Sequence, residues 1–245
     1  MVAGFYSIKM KYAIIADLHG NRPAIERLEQ DLARRKPDAL ICLGDVVGKG
    51  PNNDYAFDWA KRNCDLILQG NWEKGISARI YKHDTFYHEQ LGQKRMEEMA
   101  SWPLEHRLRL SGKNVRLIHG RPLFHTLHTL NTDEKVWAEY FLPDYDVLIY
   151  ADVHRQGLRT LAHRLLVNTG SVGNSLGVTH IQYLILKGSA DRNSAPLDFT
   201  MVNLPYDNQA TVEEVKKHPD LHNSEAFIRE LETGVYARQV GNKNS

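Results

Sequence analysis

Short apolar runs alternate with amphipathic stretches along the first part of the chain. Residues 12–16 (Tyr-Ala-Ile-Ile-Ala), 39–43 (Ala-Leu-Ile-Cys-Leu) and 66–68 (Leu-Ile-Leu) read as strands buried on both faces. Between the first two, Ile25, Leu28 and Leu32 recur at helical spacing. Pro23 stands where a helix favours its first residue, and Pro37 closes the segment. A Gly/Pro/Asn turn from Gly48 to Asn53 then leads into a helix over about residues 53–62. This βαβαβ order implies parallel strands and right-handed crossovers. Residues 72–101 lack strand-like alternation and read as a helical excursion beside the sheet. Residues 107–110 and 115–118 flank Ser111-Gly112-Lys113-Asn114, which predicts a hairpin. A helix follows over 132–140 and a strand over 147–150. Residues 165–168, 181–186 and 198–203 read as antiparallel strands, and 211–238 as helical with Gly234 as C-cap. The expected organisation is an N-terminal extension over residues 1–9, one domain over 10–210 and a helical tail over 211–245.

Composition narrows the class. The chain of 245 residues is 42% hydrophobic and 25% charged, ordinary for a globular domain with a good core. A formal net charge of +1 argues against an extended nucleic-acid or anionic-membrane surface, while leaving room for a local basic pocket. No apolar run approaches the length that spans a bilayer, and no long apolar segment follows the first residues as a secretory signal would require. Cys42 and Cys64 both fall in or near apolar segments, which fits buried thiols in a reducing compartment better than a disulfide framework. A cytoplasmic location is expected.

The chemistry lies at the strand ends. Strand 12–16 runs into Asp17 and His19, strand 39–43 into Asp45, and strand 66–68 into Asn71. The strand before Gly120 ends at His119, and the strand at 147–150 leads to Asp152 and His154. In open α/β sheets ligands bind at the carboxyl ends of strands. Asp and Asn also favour turns, so any one of these residues alone would mean little. Seven oxygen and nitrogen donors are too many for one tetrahedral zinc. They suit two neighbouring divalent cations that share a carboxylate, with manganese first and iron or zinc as alternatives.

The order and spacing of these residues resemble the calcineurin-like metallophosphoesterase superfamily, in its small bacterial and archaeal phosphoesterase branch. The family pattern D-x-H, G-D, G-N-H-[DE], H-G and G-H-x-H is matched here by residues 17–21 (DLHGN), 44–45 (GD), 70–73 (GNWE), 118–120 (IHG) and 151–154 (ADVH), with the small-residue turn 168–173 (NTGSVG) after them. The resemblance runs from about residue 11 to 205. It implies an α/β fold, a four-layer sandwich with mixed sheets. It also implies that Asp17, His19 and His154 hold one metal, that Asn71, His119 and residue 152 hold a second, and that Asp45 bridges. The implied reaction is hydrolysis of a phosphoester or phosphoanhydride by water activated between the metals.

Two positions depart from the family pattern. Trp72 replaces a His that the family uses to contact phosphate and protonate the leaving group, and an indole cannot exchange a proton at neutral pH. The loss matters least for a good leaving group, which favours a phosphodiester or a nucleotide phosphoanhydride such as a dinucleoside polyphosphate. The partner expected is therefore a small-molecule phosphate ester or nucleotide. Asp152 replaces the first His of G-H-x-H and is expected to ligate metal in its place, which would set three carboxylates against two cations; the alternative is a non-ligand that hydrogen-bonds a ligating His. Lys49, Lys74, Arg121 and Arg155 lie close enough in sequence to compensate. Asn21, Trp72 and Arg121 are the expected substrate contacts. His125 and His128 are candidates for the missing acid, and His83 and His88 ride on the helical excursion. Two alternatives stay open: a phosphoprotein phosphatase, and a degenerate member that binds metal or nucleotide without turnover.

Overall fold

The computed structural model describes residues 8–237. Residues 1–7 of the expected extension and 238–245 of the expected tail lie outside them. In chain order the elements begin β1 (Lys9–Ile15), α1 (Arg22–Arg35), β2 (Ala39–Cys42), α2 (Asn53–Asn63), β3 (Leu66–Ile67), α3 (Asn71–Ser77) and α4 (Thr85–Ala100). They continue β4 (Glu105–Leu110), β5 (Lys113–Ile118), α5 (Glu134–Tyr140), β6 (Val147–Tyr150), β7 (Gly157–Leu161) and β8 (Arg164–Asn168). The last are β9 (Ile181–Ser189), β10 (Asp198–Leu204), α6 (Asn208–Lys216) and α7 (Ser224–Thr233).

Two five-stranded mixed sheets result, ordered β10-β9-β1-β2-β3 and β4-β5-β6-β8-β7. Period-two alternation explains how they stack. Ala13 and Ile15 of β1, with Leu40 and Cys42 of β2, face the helices of the first sheet. Their neighbours Ile14 and Ile41, with Ala16 and Leu43 just beyond the strands, face the second sheet. In β6, Val147 and Ile149 meet the first sheet, while Leu148 and Tyr150 turn out toward Trp137 and Phe141 around α5. Three apolar interfaces therefore separate four layers: helices, sheet, sheet and an outer layer containing α5. Because β1, β2 and β6 are buried on both faces, they read in sequence as continuous apolar runs.

The first sheet pairs β1 with β2 and β2 with β3 in parallel, and β9 antiparallel to both β1 and β10. The expected hairpin is present. Ser111 (φ 52°) and Gly112 (φ 76°) form a two-residue turn with both φ values positive, the twist that suits antiparallel neighbours.

The structure corrects three sequence expectations. Strand β7 was absent from them because its only buried side chain is Leu161; pairing with β8, not an apolar run, makes it a strand. The segment 165–168, expected to be antiparallel, lies parallel to β6 and antiparallel only to β7. A strand's direction is set by the neighbours it reaches, which its own residues do not encode. The expected helix over 211–238 is two helices. α6 starts earlier, where the Asp207 side chain accepts from Ala210 N, and α7 ends on Gly234 in the left-handed region. Cys42 and Cys64 are both free thiols.

Candidate metal centre

Five of the seven candidate ligands sit in the left-handed backbone region: Asp17 (φ 55°), His19 (φ 48°), Asp45 (φ 52°), Asp152 (φ 70°) and His154 (φ 57°). Each such residue costs about 1–3 kcal/mol and persists only where its surroundings over-determine it. The surroundings here are strand-end loops tied to one another. Asp17 N donates to Gly44 O (2.9 Å) and His19 N to Asp45 O (3.1 Å). The small-residue turn after β8 closes on the same loops: Gly173 N donates to Asp17 O (2.8 Å), and Ser171 Oγ to that same oxygen (3.0 Å).

The loops approach too closely for side chains at their glycines. A Cβ on Gly70 would lie 2.2 Å from Asp45 Oδ1, and one on Gly44 would lie 2.6 Å from Gly70 N. Glu73, fully buried, organises this junction. Its Oε2 accepts from Asp45 N and Gly70 N (both 2.8 Å), and its Oε1 from Val46 N (2.7 Å) and Val47 N (3.3 Å). Burial, and then the Asp45 carboxylate, push its pKa up to about 7. Sequence reading overlooked this role, although a Glu three residues after a helix cap is a recognisable capping pattern.

Two buried groups of side chains could each hold a metal ion: Asp17, His19 and His154; and Asp17, Asp45 and His119. Asp17 Oδ1 lies 3.8, 3.9 and 3.4 Å from the Nε2 atoms of His19, His119 and His154. Asp45 Oδ2 lies 3.9 Å from His19 Nε2 and 3.3 Å from His119 Nε2, while its Oδ1 accepts from Trp72 N (2.9 Å). Asp17 and Asp45 thus both stand between the imidazoles. His19 Nδ1 meets Val47 O (3.2 Å) and His154 Nδ1 meets Asn174 O (2.6 Å). With Nδ1 donating to a carbonyl, each ring carries its lone pair on Nε2; the two Nε2 atoms lie 3.2 Å apart beside Asp17, an arrangement a shared cation would satisfy.

The unsatisfied atoms fit a cation. Both oxygens of Asp17, Asn71 Oδ1 and His119 Nδ1 are buried without a hydrogen-bond partner, and His119 Nε2 has the Asp45 carboxylate at 3.3 Å. Buried polar atoms are normally paired, so such a cluster marks a ligand position. For His119, burial opposes the charged imidazolium. The carboxylates of Asp45, then Asp17 and Asp152, outweigh burial and push the pKa up to about 10. That field favours any cation at this point, and the oxygen and imidazole donor set suits a divalent transition metal.

The remaining predicted residues divide. A cavity of about 1050 Å³ opens over the centre, lined by Asn71, Trp72, Arg121, His125, Asp152 and His154, and by all four expected basic residues Lys49, Lys74, Arg121 and Arg155. Trp72 packs edge-on against His19, with ring centroids 5.9 Å apart. His83 lines the cavity and His88 does not. Asp152 stands outside both ligand groups, and its carboxylate is engaged by Arg121. His128 does not line the cavity either; it packs among Phe124, Trp137 and Tyr140, which leaves His125 as the cavity-facing imidazole of that pair. Asn21 was expected at the substrate, but it is fully buried and its amide is committed to the fold. It caps α1 by accepting from Ala24 N, donates to Gly173 O (2.8 Å) and Tyr206 Oη (3.1 Å), and accepts from Thr211 Oγ1 (2.8 Å).

Comparison with known proteins places the fold and the family. An uncharacterised protein of Methanocaldococcus jannaschii is 25% identical over 248 aligned positions, covering 86% of this chain and 94% of that one. A metallophosphoesterase from Sphaerobacter thermophilus superposes with a TM-score of 0.72 at 19% identity, covering 92% of this chain and 99% of that one. A hypothetical protein from Pyrococcus horikoshii superposes with a TM-score of 0.74 at 16% identity, covering 90% and 97%. The model of the calcineurin-like phosphoesterase superfamily domain matches residues 10–191, most of the chain, and those residues carry every candidate ligand. The chain belongs to the calcineurin-like phosphoesterase superfamily.

Proposed function

We propose that this phosphoesterase hydrolyses a phosphodiester or a nucleotide phosphoanhydride, dinucleoside polyphosphates included, with two divalent cations side by side at the strand ends. The observation that carries the reading is the pair of buried ligand groups sharing Asp17, which reach through Asp45 and His154 into a cavity far larger than a bare phosphate needs. Asp17, His19 and His154 would hold one cation, Asn71 and His119 the other, with Asp45 between them. Manganese is the expected metal, with iron or zinc as alternatives. When bound, such cations supply water of lowered pKa and positive charge for the phosphoryl oxygens.

The chain's own residues do the rest. His19 and His154 are held in one orientation by backbone carbonyls, so their nitrogens are preorganised. Glu73 fixes the loop that carries Asp45. Trp72 forms a wall of the cavity beside His19, and its indole N–H is too weak an acid to protonate a leaving group, which selects for one that departs as a weak base. The outer lining includes Ile80, Tyr81, Leu127 and Tyr236, all about half exposed. Such an apolar rim suits a base or aryl group attached to the phosphate, and a small monoester would leave it untouched.

Turnover assays test this. Manganese-loaded protein is expected to cleave bis(p-nitrophenyl) phosphate and dinucleoside polyphosphates. Asp45→Ala, with its fold verified by circular dichroism, is expected to lose that activity. Efficient turnover of phosphopeptides with none of dinucleotides would refute the substrate assignment. Metal binding without turnover of any ester would refute hydrolysis.

A further inference from the structure

The carboxylate at 152 behaves unlike the other carboxylates of the centre. Both oxygens of Asp17 lack partners, whereas Asp152 is saturated. Its Oδ1 accepts from Arg121 Nη2 (2.6 Å) and Nε (3.1 Å), and its Oδ2 from Arg121 Nε (2.9 Å) and the Arg121 backbone N (3.0 Å). Asp152 is 6% exposed, and the backbone is shaped around the contact. Val153 N donates to Ala151 O across Asp152, whose φ is 70°, making a γ-turn that aims the carboxylate at the 119–121 loop. On that loop Gly120 has φ 142°, and a Cβ there would lie 2.7 Å from Asp152 Cβ and 2.9 Å from its Oδ2.

We propose that Asp152 is not a metal ligand but a positioning residue, which fixes Arg121 as the phosphate-binding cation of the cavity. Arg121 lines the cavity and its side chain is 40% exposed. Asp152 takes Nε and one side of Nη2, so Nη1, which makes no hydrogen bond among the described residues, is left available to a phosphate in the cavity that Arg121 lines. A guanidinium held through one edge presents its other N–H groups in a fixed fork, the geometry that matches phosphoryl oxygens.

The inference rests on the phosphoesterase reading and is tested by separate readouts. Metal content by elemental analysis, inorganic phosphate binding by calorimetry, and KM and kcat for bis(p-nitrophenyl) phosphate are measured for wild type, Asp152→Asn, Arg121→Ala, Arg121→Lys and the Asp152→Asn/Arg121→Ala double variant. Asp152→Asn is expected to keep the wild-type metal content. Phosphate affinity should fall about tenfold in both Asp152→Asn and Arg121→Ala, with KM rising more than kcat falls. The double variant should be no worse than Arg121→Ala. Arg121→Lys keeps the cation without the fork, relieves the folding burden of an unpaired Asp152, and should bind phosphate between wild type and Arg121→Ala. Loss of a metal equivalent in Asp152→Asn, or additive losses in the double variant, would overturn the proposal. Arg121-dependent phosphate binding by a protein that cleaves no ester would support the clamp while refuting the hydrolase reading.

Discussion

Replacing Trp72 with His tests the leaving-group argument directly. Residue 72 is held beside the centre whatever its side chain, because its backbone N donates to Asp45 Oδ1 at 2.9 Å. The indole packs edge-on against His19 (centroids 5.9 Å, 78°) and Tyr87 (5.7 Å, 83°), over Gly48, where a Cβ would come within 2.2 Å of the ring. Losing two edge contacts worth about 0.5–1.5 kcal/mol each costs about 1–3 kcal/mol, to which the apolar area left uncovered by the smaller ring adds. A domain with about 5–15 kcal/mol of stability tolerates that loss. In exchange the variant gains an imidazole within the cavity, and general acid catalysis contributes about 100- to 10,000-fold where the leaving oxygen needs a proton. The assay is kcat/KM across a series of phosphodiesters running from p-nitrophenyl to alkyl leaving groups at fixed manganese. Trp72→His is expected to accelerate the alkyl esters by about 100-fold or more and the p-nitrophenyl ester little, flattening the dependence on leaving-group basicity. Parallel dependences for wild type and variant would refute the reasoning.

Two further outcomes follow from the buried polar groups. Glu73→Gln turns one of two accepting oxygens into a donor, and either choice leaves two buried backbone N–H groups unpaired. At about 1–3 kcal/mol per group, urea unfolding should show a loss of about 2–6 kcal/mol, and a loss under about 1 kcal/mol would contradict the assigned role. In metal-free protein the carboxylates overcome burial to hold the His119 pKa at about 10, above its ordinary value. The stability this supplies is complete below the unfolded histidine pKa and is lost as pH rises through about 10. A metal must displace that proton, so apparent manganese affinity should rise about tenfold per pH unit below that point. Calorimetry in buffers of different ionisation enthalpy at pH 8 would detect the released proton, and its absence would refute the assignment.

How much of this was legible in the sequence depends on whether a feature is local. The β1-α1-β2-α2-β3 unit was readable because strands buried on both faces must be apolar throughout and their helices amphipathic. The turn at Ser111-Gly112 was readable because its geometry favours particular residues. The candidate ligands were readable because each ends an apolar run, and because their order matched a known pattern over most of the chain. Strand β7 and the direction of β8 were not, since both depend on neighbours distant in sequence.

The site divides along the same line. The residue types in their order along the chain pointed to a class of chemistry, because Asp, Asn and His at successive strand ends together make a set of oxygen and nitrogen donors suited to a divalent cation. Tertiary structure decides which partners each one reaches. Asn21 belongs to a motif yet spends its amide on α1, Gly173, Tyr206 and Thr211, three partners that chain order does not bring near. His128 is adjacent to the site in sequence but turns into an aromatic cluster around Phe124. Asp152 occupies a ligand's place in the motif, but Arg121, 31 residues earlier, lies against both of its oxygens. A residue's identity sets which bonds it can make. Which of them it does make depends on the atoms the fold brings within about 3 Å of it.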